Sequence, residues 1–302
     1  MERDPATTVV SDTHMNKLTH TRLPEWLKNR CGNVASTHDL KSRLRKRGLR
    51  TVCEAAKCPN IGECFERGTA TFMIMGDLCT RNCRFCNVKH GVPQPLDREE
   101  PVRVAAEISE LKLRHAVITS VTRDDLPDGG AAHFRKTIEA IRSHSPKTTI
   151  EVLTPDFEGR EKEISEVCSA APQIFNHNIE TVERLTPSIR SMASYRRSLS
   201  VLEFAKRNYP DILVKSGIIV GLGERREEIL ETLADLKTLG CDIVTIGQYL
   251  RPSRKAIAVH EYLEPEYFTK LEEDGKKLGF KYIFAGPLVR SSYMAEMVLK
   301  EF

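Results

Sequence analysis

Six cysteines crowd into 34 residues of a 302-residue chain: Cys53, Cys58, Cys64, Cys79, Cys83 and Cys86. The whole chain holds nine, so an even spread would put about one in that window. Their spacing divides them into two triplets, Cys53-x₄-Cys58-x₅-Cys64 and Cys79-x₃-Cys83-x₂-Cys86. A disulfide framework suits a small secreted chain, and this one is large. Its opening, MERDPATTVVSDTHMNK, carries acids and no apolar stretch of the kind a secretory signal needs. No apolar run approaches the ~18 residues of a membrane span. A reducing, cytoplasmic setting is therefore expected, in which clustered thiols serve a metal. Composition sets the outer bounds. With 40% hydrophobic and 29% charged residues, collagen-like, disordered and coiled-coil classes fit poorly. The net charge of +4 and the pI of about 8.5 fall short of the pI above about 9 typical of a dedicated nucleic-acid domain.

A strand-helix rhythm runs from residue 72 to 285. Apolar, β-rich runs occur at 72–76 (TFMIM), 116–121, 149–153 (TIEVL), 174–177, 212–220 (ILVKSGIIV) and 243–250. Between them, apolar residues recur at i, i+4, i+7: Val104, Ile108 and Leu111; Phe134, Ile138 and Ile141; Ile164, Val167 and Ala171; Ile229, Leu233 and Leu236. Pro101 opens one helix, Gly240 follows another, and Pro210 stops the helix that starts near Ser198. Alternation of this kind implies parallel strands with right-handed crossovers. Six units predict an α/β fold, a partial (βα)₆ TIM-type barrel or an open doubly wound sheet. Residues 1–71 lack the rhythm and read as an N-terminal extension carrying the first triplet. Residues 286–302 form a C-terminal segment after a last apolar run at 282–285 (YIFA).

Zinc sites favour paired C-x₂₋₄-C hooks and four ligands. Two sets of three thiolates instead match four-iron clusters, each with one iron left for another ligand. The second triplet follows the first strand directly, and active sites of parallel barrels lie at the C-terminal strand ends.

Cys79-x₃-Cys83-x₂-Cys86, with Phe85 before the last cysteine, resembles the radical S-adenosylmethionine (radical SAM) signature. The upstream triplet and the tetrad Arg290-Ser291-Ser292-Tyr293 narrow the resemblance to the lipoyl synthase family. CEAAKCPNIGECF (53–65), TSVTRDDLPDGG (119–130), EVLTPDF (151–157), FNHNIETV (175–182) and KSGIIVGLGE (215–224) resemble it too, so that roughly residues 23 to 294 are covered. The resemblance implies two [4Fe–4S] clusters: one on Cys79, Cys83 and Cys86, whose open iron chelates SAM, and an auxiliary one on Cys53, Cys58 and Cys64. It implies insertion of two sulfurs at C6 and C8 of a protein-bound octanoyl-lysine chain, through SAM-derived 5′-deoxyadenosyl radicals, with the auxiliary cluster as sulfur donor. Unactivated C–H bonds yield to no ordinary base, so a cofactor must carry that chemistry while the protein positions and shields it. The resemblance also implies that a serine of the tetrad holds the auxiliary cluster's fourth iron; Ser292 is the first choice and Ser291 the second. Implied partners are octanoylated lipoyl carriers, namely lipoyl domains of 2-oxoacid dehydrogenase complexes and the glycine cleavage H protein, together with an electron donor. Neither nucleic acid nor membrane is expected.

Several further residues are SAM-contact candidates. Gly217 and Gly221 sit in Gly217-x-Ile219-x-Gly221-x-x-Glu224 at a strand end, where a missing side chain lets backbone approach a ligand. Asn176, Asn178 and Glu180 end the fourth strand; the rival reading has Asn178 capping the next helix. Arg123, Asp124 and Asp125 follow the second strand and either orient SAM or substrate or fix the loop. Six cations between 41 and 50 (Lys41, Arg43, Arg45, Lys46, Arg47 and Arg50) read as a solvated helical face, or as a patch steering an acidic carrier. Cys31, Cys168 and Cys241 lack triplet spacing and read as structural thiols. Competing readings are another radical SAM sulfur-inserting enzyme of the biotin synthase or methylthiotransferase type, which lacks the pairing of upstream triplet and tetrad, and a zinc-bearing nucleic-acid module, which leaves the strand-helix units unexplained.

Overall fold

The computed structural model of the protein describes residues 23–28, 41–55, 58, 60–66 and 69–292. Cys31 and Tyr293 lie outside them. Short helices α1 (Glu25–Lys28), α2 (41–46), α3 (Val52–Ala55) and α4 (Ile61–Glu66) precede strand β1 (Thr69–Ile74). A two-residue parallel ladder follows, β2 (Leu78–Cys79) with β3 (Lys89–His90). Then strands and helices alternate: α5 (Glu100–Glu110), β4 (His115–Ser120), α6 (Ala131–His144), β5 (Thr149–Leu153), α7 (Glu161–Ser169), β6 (Ile174–Asn176), α8 (Thr186–Ile189), α9 (Tyr195–Asn208), β7 (Leu213–Val220), α10 (Arg226–Thr238), β8 (Ile243–Gln248), α11 (Pro265–Lys277) and β9 (Tyr282–Gly286).

Seven parallel strands form one sheet in the order β1-β4-β5-β6-β7-β8-β9. Within this sheet each strand pairs with the sheet's next strand in chain order, so the order never reverses. A doubly wound sheet requires such a reversal, and the architecture is therefore a partial TIM-type barrel, with β1 and β9 as its edges. The run at 282–285 is a seventh strand, in register with β8 from Ile243↔Tyr282 to Gly247↔Gly286.

The local reasons are those of buried parallel sheets. Every residue of β1 and β8 is buried, which only strands covered on both faces achieve. Phe134, Ile138 and Ile141 of α6, and Ile229, Leu233 and Leu236 of α10, are fully buried. Some boundaries differ from the periodicity. β1 stops at Ile74 because Met75 (φ 67°) and Gly76 (φ 95°) turn the chain through left-handed backbone. Leu111 is the C-terminal cap of α5, not part of its stripe. Ala171 lies past α7 at φ 52°, and Cys168 fills the buried stripe in its place. α9 starts at Tyr195, three residues before Ser198, because Ser194 caps it by accepting from the Arg197 N–H.

The basic run is solvated only in part: Arg45, Lys46 and Arg50 are exposed, whereas Lys41, Arg43 and Arg47 are half-buried. Arg43 and Arg47 clamp Glu107, each at 2.7 Å, and Arg47 also reaches Glu110 at 2.7 Å. Arg45 pairs with Glu54 and Arg50 with Asp77. These cations dock the N-terminal segment onto α5 and the barrel mouth. Beside them, Thr51 bridges Phe72 in antiparallel fashion and Met73 donates its N–H to the Arg50 carbonyl. The otherwise open edge of β1 is thereby covered. No helix among the described residues is long and apolar enough to cross a membrane.

Candidate active site

The second triplet lies on the loop that leaves β1 at the C-terminal end of the barrel. Cys79 Sγ accepts the N–H groups of Arg81 and Thr122, and Cys86 Sγ accepts that of Val88, all at 3.4 Å. The Cys86 N–H donates to the Cys83 carbonyl. Phe85 packs beside Ile189, Leu222 and Tyr249. One buried guanidinium secures the loop: Arg81 donates to both carboxylate oxygens of Asp124 at 2.8 Å and to Asp156 at 2.8 Å, and Arg197 holds the other Asp156 oxygen at 2.8 Å. Burial would push the Asp156 carboxyl up, but Arg81 outweighs it and holds the group well below the usual carboxylate range. Asp124 was a candidate on sequence; Arg81 and Asp156 were not, because their pairing spans 75 residues.

Arg123 is not exposed at the strand ends. Its guanidinium is 2% exposed, doubly bonded to Asp125 at 2.8 Å and turned toward the Met75 carbonyl. With its donors committed there, it fixes the turn after β1. Nor does Asn178 cap a helix. Its Oδ1 accepts from Ser291 and its Nδ2 donates to Glu180. Glu180 adopts φ 66°, a strained backbone typical of functional sites. It stands electrostatically close to Cys83 and Cys86, and burial pushes its carboxyl up. The glycines serve close packing. A Cβ at Gly217 would stand 2.8 Å from Asn178 Oδ1, and one at Gly221 (φ 96°) would stand 2.2 Å from Gln248 Nε2.

The first triplet sits against β1, on α3 (Cys53), the turn after it (Cys58) and α4 (Cys64). Here the C-terminal segment arrives. Thr71 on β1 stands within reach of the Cys53 thiol through its N–H and its side chain, and its hydroxyl donates its single hydrogen to Ser292 Oγ at 3.0 Å. The half-buried Arg290 guanidinium stands electrostatically close to Cys58, and Asn60 Nδ2 donates to the Leu288 carbonyl at 2.6 Å. Ser291 faces the other way, into the barrel, between Asn176 and Asn178. A link from Asn87 Nδ2 to the Ala55 carbonyl at 2.8 Å joins the two cysteine regions.

Both triplets have the donor chemistry of iron-sulfur ligation. Burial pushes Cys53 up to about 11, with Cys58 adding to it, and pushes Cys86 up to about 11; Cys83 and Cys58 are raised as well. Such thiols are neutral until a cation arrives, and a bound metal centre stabilises their thiolates outright. Amide N–H groups aimed at Sγ atoms match the hydrogen bonding that tunes cluster sulfurs. Among the described residues, no three His, Cys, Asp or Glu side chains gather at single-ion spacing. A four-iron cluster holds its thiolates on separate irons and needs no such convergence.

Fold and donor set define an iron-sulfur enzyme of the radical SAM type. The radical SAM superfamily profile matches residues 73–236, and that of the N-terminal domain of lipoyl synthase of the radical SAM family matches residues 4–58. Lipoyl synthase from Caldanaerobacter subterraneus subsp. tengcongensis is 56% identical over 278 residues, covering 92% of this chain and 97% of that protein. Lipoyl synthase from Rubrobacter xylanophilus is 53% identical over 272 residues, covering 90% and 85%. Methylornithine synthase shares the fold at a TM-score of 0.55 and 15% identity, over 84% of this chain and 79% of its own. Streptococcus suis SuiB bound to S-adenosylmethionine does so at 0.56 and 9%, over 82% and 55%. The chain belongs to the lipoyl synthase family. It is a radical SAM sulfurtransferase that inserts two sulfur atoms into a protein-bound octanoyl chain, with [4Fe–4S] clusters and SAM as cofactors.

Proposed function

We propose that Cys79, Cys83 and Cys86 hold the cluster that binds SAM, and that Cys53, Cys58, Cys64 and Ser292 hold the sulfur-donating cluster. The first supplies a 5′-deoxyadenosyl radical when SAM is bound, and the second supplies both sulfurs. One observation carries the assignment of Ser292. Thr71 touches both Cys53 and Ser292, which puts the Ser292 hydroxyl on the side of the first triplet. Ser291, the alternative ligand, has its hydroxyl engaged by Asn176 and Asn178. A serine oxygen suits a ligand that must let go, since a proton suffices to release it. Asn178 and Glu180 line the approach to the SAM-binding loop and are the contacts we assign to SAM; Asn176, Gly217 and Gly221 shape that wall from behind. The barrel mouth, the cysteine loop and the C-terminal segment together exclude water from the radical's path.

The octanoyl chain comes on a lipoyl domain of a 2-oxoacid dehydrogenase complex or on the glycine cleavage H protein, in the cytoplasm, with an external electron donor. The test is anaerobic incubation of the reconstituted protein with SAM, dithionite and an octanoylated lysyl peptide, read by mass spectrometry. The expected product carries two sulfurs. Formation of 5′-deoxyadenosine with no sulfur inserted would overturn the substrate assignment. Ser292→Ala is expected to keep SAM cleavage and lose sulfur transfer together with auxiliary iron; full iron and full transfer would overturn the ligand assignment.

A further inference from the structure

The barrel interior contains an ion pair that catalysis does not use. Lys215 Nζ lies 3.0 Å from each Glu151 oxygen, with the two side chains 1% and 0% exposed. His115 Nε2 stands 3.7 Å from the same carboxylate. Burial would raise the Glu151 pKa, but Lys215, His115 and Asn176 outweigh it and hold the group at about 2. A buried pair of this kind is a poor device for stability alone, because apolar side chains of similar volume are often as good or better.

The pair does, however, orient what lies above it. A carboxylate only accepts hydrogen bonds, so the fully buried Asn176 must turn its Nδ2 toward Glu151, at 2.8 Å. The second hydrogen of that Nδ2 then points at Ser291 Oγ, also at 2.8 Å. With its oxygen accepting from Asn176, Ser291 sends its own proton outward to Asn178 Oδ1 at 2.9 Å. The direction of every bond in the chain is set by the charge beneath it. Ser291 is thereby pinned inward, and its neighbour Ser292 faces the first triplet and Thr71. Close packing seconds this. A Cβ at Gly247 on β8 would stand 2.0 Å from the Val289 carbonyl, so the segment lies directly on the sheet.

We propose that Lys215 and Glu151, acting through Asn176 and Ser291, are positioning residues that register the C-terminal segment so that Ser292 meets the auxiliary triplet. The proposal rests on Ser292 as the auxiliary ligand for its purpose, but not for its geometry. The test is hydrogen exchange of the full-length chain, before and after cluster reconstitution, on Glu151→Leu/Lys215→Met, on Ser291→Ala and on their combination. Peptides covering 287–292 should exchange at least about 10-fold faster in each, with β4 to β8 unchanged, and the combination should be no faster than either alone, as expected of groups in one network. In a Cys79→Ala/Cys83→Ala/Cys86→Ala background, which isolates the auxiliary cluster, the same variants should release iron to a chelator faster. Unchanged exchange at 287–292 in Ser291→Ala would overturn the proposal, as would fully additive effects. Should the double charge variant fail to fold, Ser291→Ala, which alters no barrel side chain, decides alone. Failure of the ligand assignment would show separately, as normal iron retention in Ser292→Ala with exchange still faster in Ser291→Ala.

Discussion

The two cysteine triplets are built on opposite principles. The one at 79–86 rides on a loop locked by charge: Arg81 sits between Asp124 and Asp156, Arg197 backs Asp156, and all four belong to the barrel. The one at 53–64 rides on helices of four and six residues, too short to be stable alone. Its ties include the Arg45–Glu54 ion pair, the Asn87–Ala55 link, and hydrogen bonds among an edge strand and a tail that returns from the far end of the sequence. On the proposed assignment, the first support suits a cluster kept through the reaction, and the second, made of parts that can separate, suits a cluster consumed as a reagent.

The comparison breaks most completely at the cysteines. Cys83→Ala should abolish formation of 5′-deoxyadenosine, measured by chromatography, whereas Cys58→Ala should leave that cleavage running and abolish sulfur insertion alone. Next comes the lock. Asp156→Asn leaves Arg81 with Asp124 alone and takes the charge partner from Arg197; it should cost about 1–3 kcal/mol in thermal or denaturant unfolding, slow SAM cleavage, and leave iron at the first triplet unchanged. Gly247→Ala inverts that pattern. Its Cβ would collide with the Val289 carbonyl, costing about 1–3 kcal/mol, and iron analysis should show loss from the first triplet with SAM cleavage retained.

The smallest effect is in pH. His177 lies fully buried beside the lock, bonded to the Thr154 carbonyl and Ser198. Burial first, and the Arg190 charge second, lower it to about 4. The unfolded chain takes up this proton near pH 6.5, so the associated stability is complete above that pH and is lost as pH falls toward 4. Unfolding at pH 5.5 should be easier by roughly 1 kcal/mol from this group. His177→Asn should flatten that slope, and hydrogen exchange should place the acid-induced loosening at 79–86 before 53–64.

Much of this was legible in the chain. Alternation of apolar runs and 3.6-period stripes is a local property, and the strands and helices stand close to where it puts them. Both triplets and the Arg290-Ser291-Ser292 segment were identifiable for the same reason, since spacing within a loop is written in consecutive residues. Lys215 within ILVKSGIIV and Glu151 within TIEVL drew no reading from sequence, because nothing local says that the two strands will set them face to face. The basic run was legible as a solvated face at Arg45, Lys46 and Arg50, but nothing at 41–50 reveals that Glu107 and Glu110 will stand opposite Arg43 and Arg47.

Sequence by itself determined the element types, the metal chemistry and the set of candidate ligands, because these depend on neighbours within a few residues. Tertiary structure decided that the sheet curves in sequential order, that Arg123 holds a turn, and that Ser292 and not Ser291 faces the first triplet. Those outcomes depend on contacts across as many as 228 residues, and only closure of the sheet around a common core brings such groups within a hydrogen bond of one another.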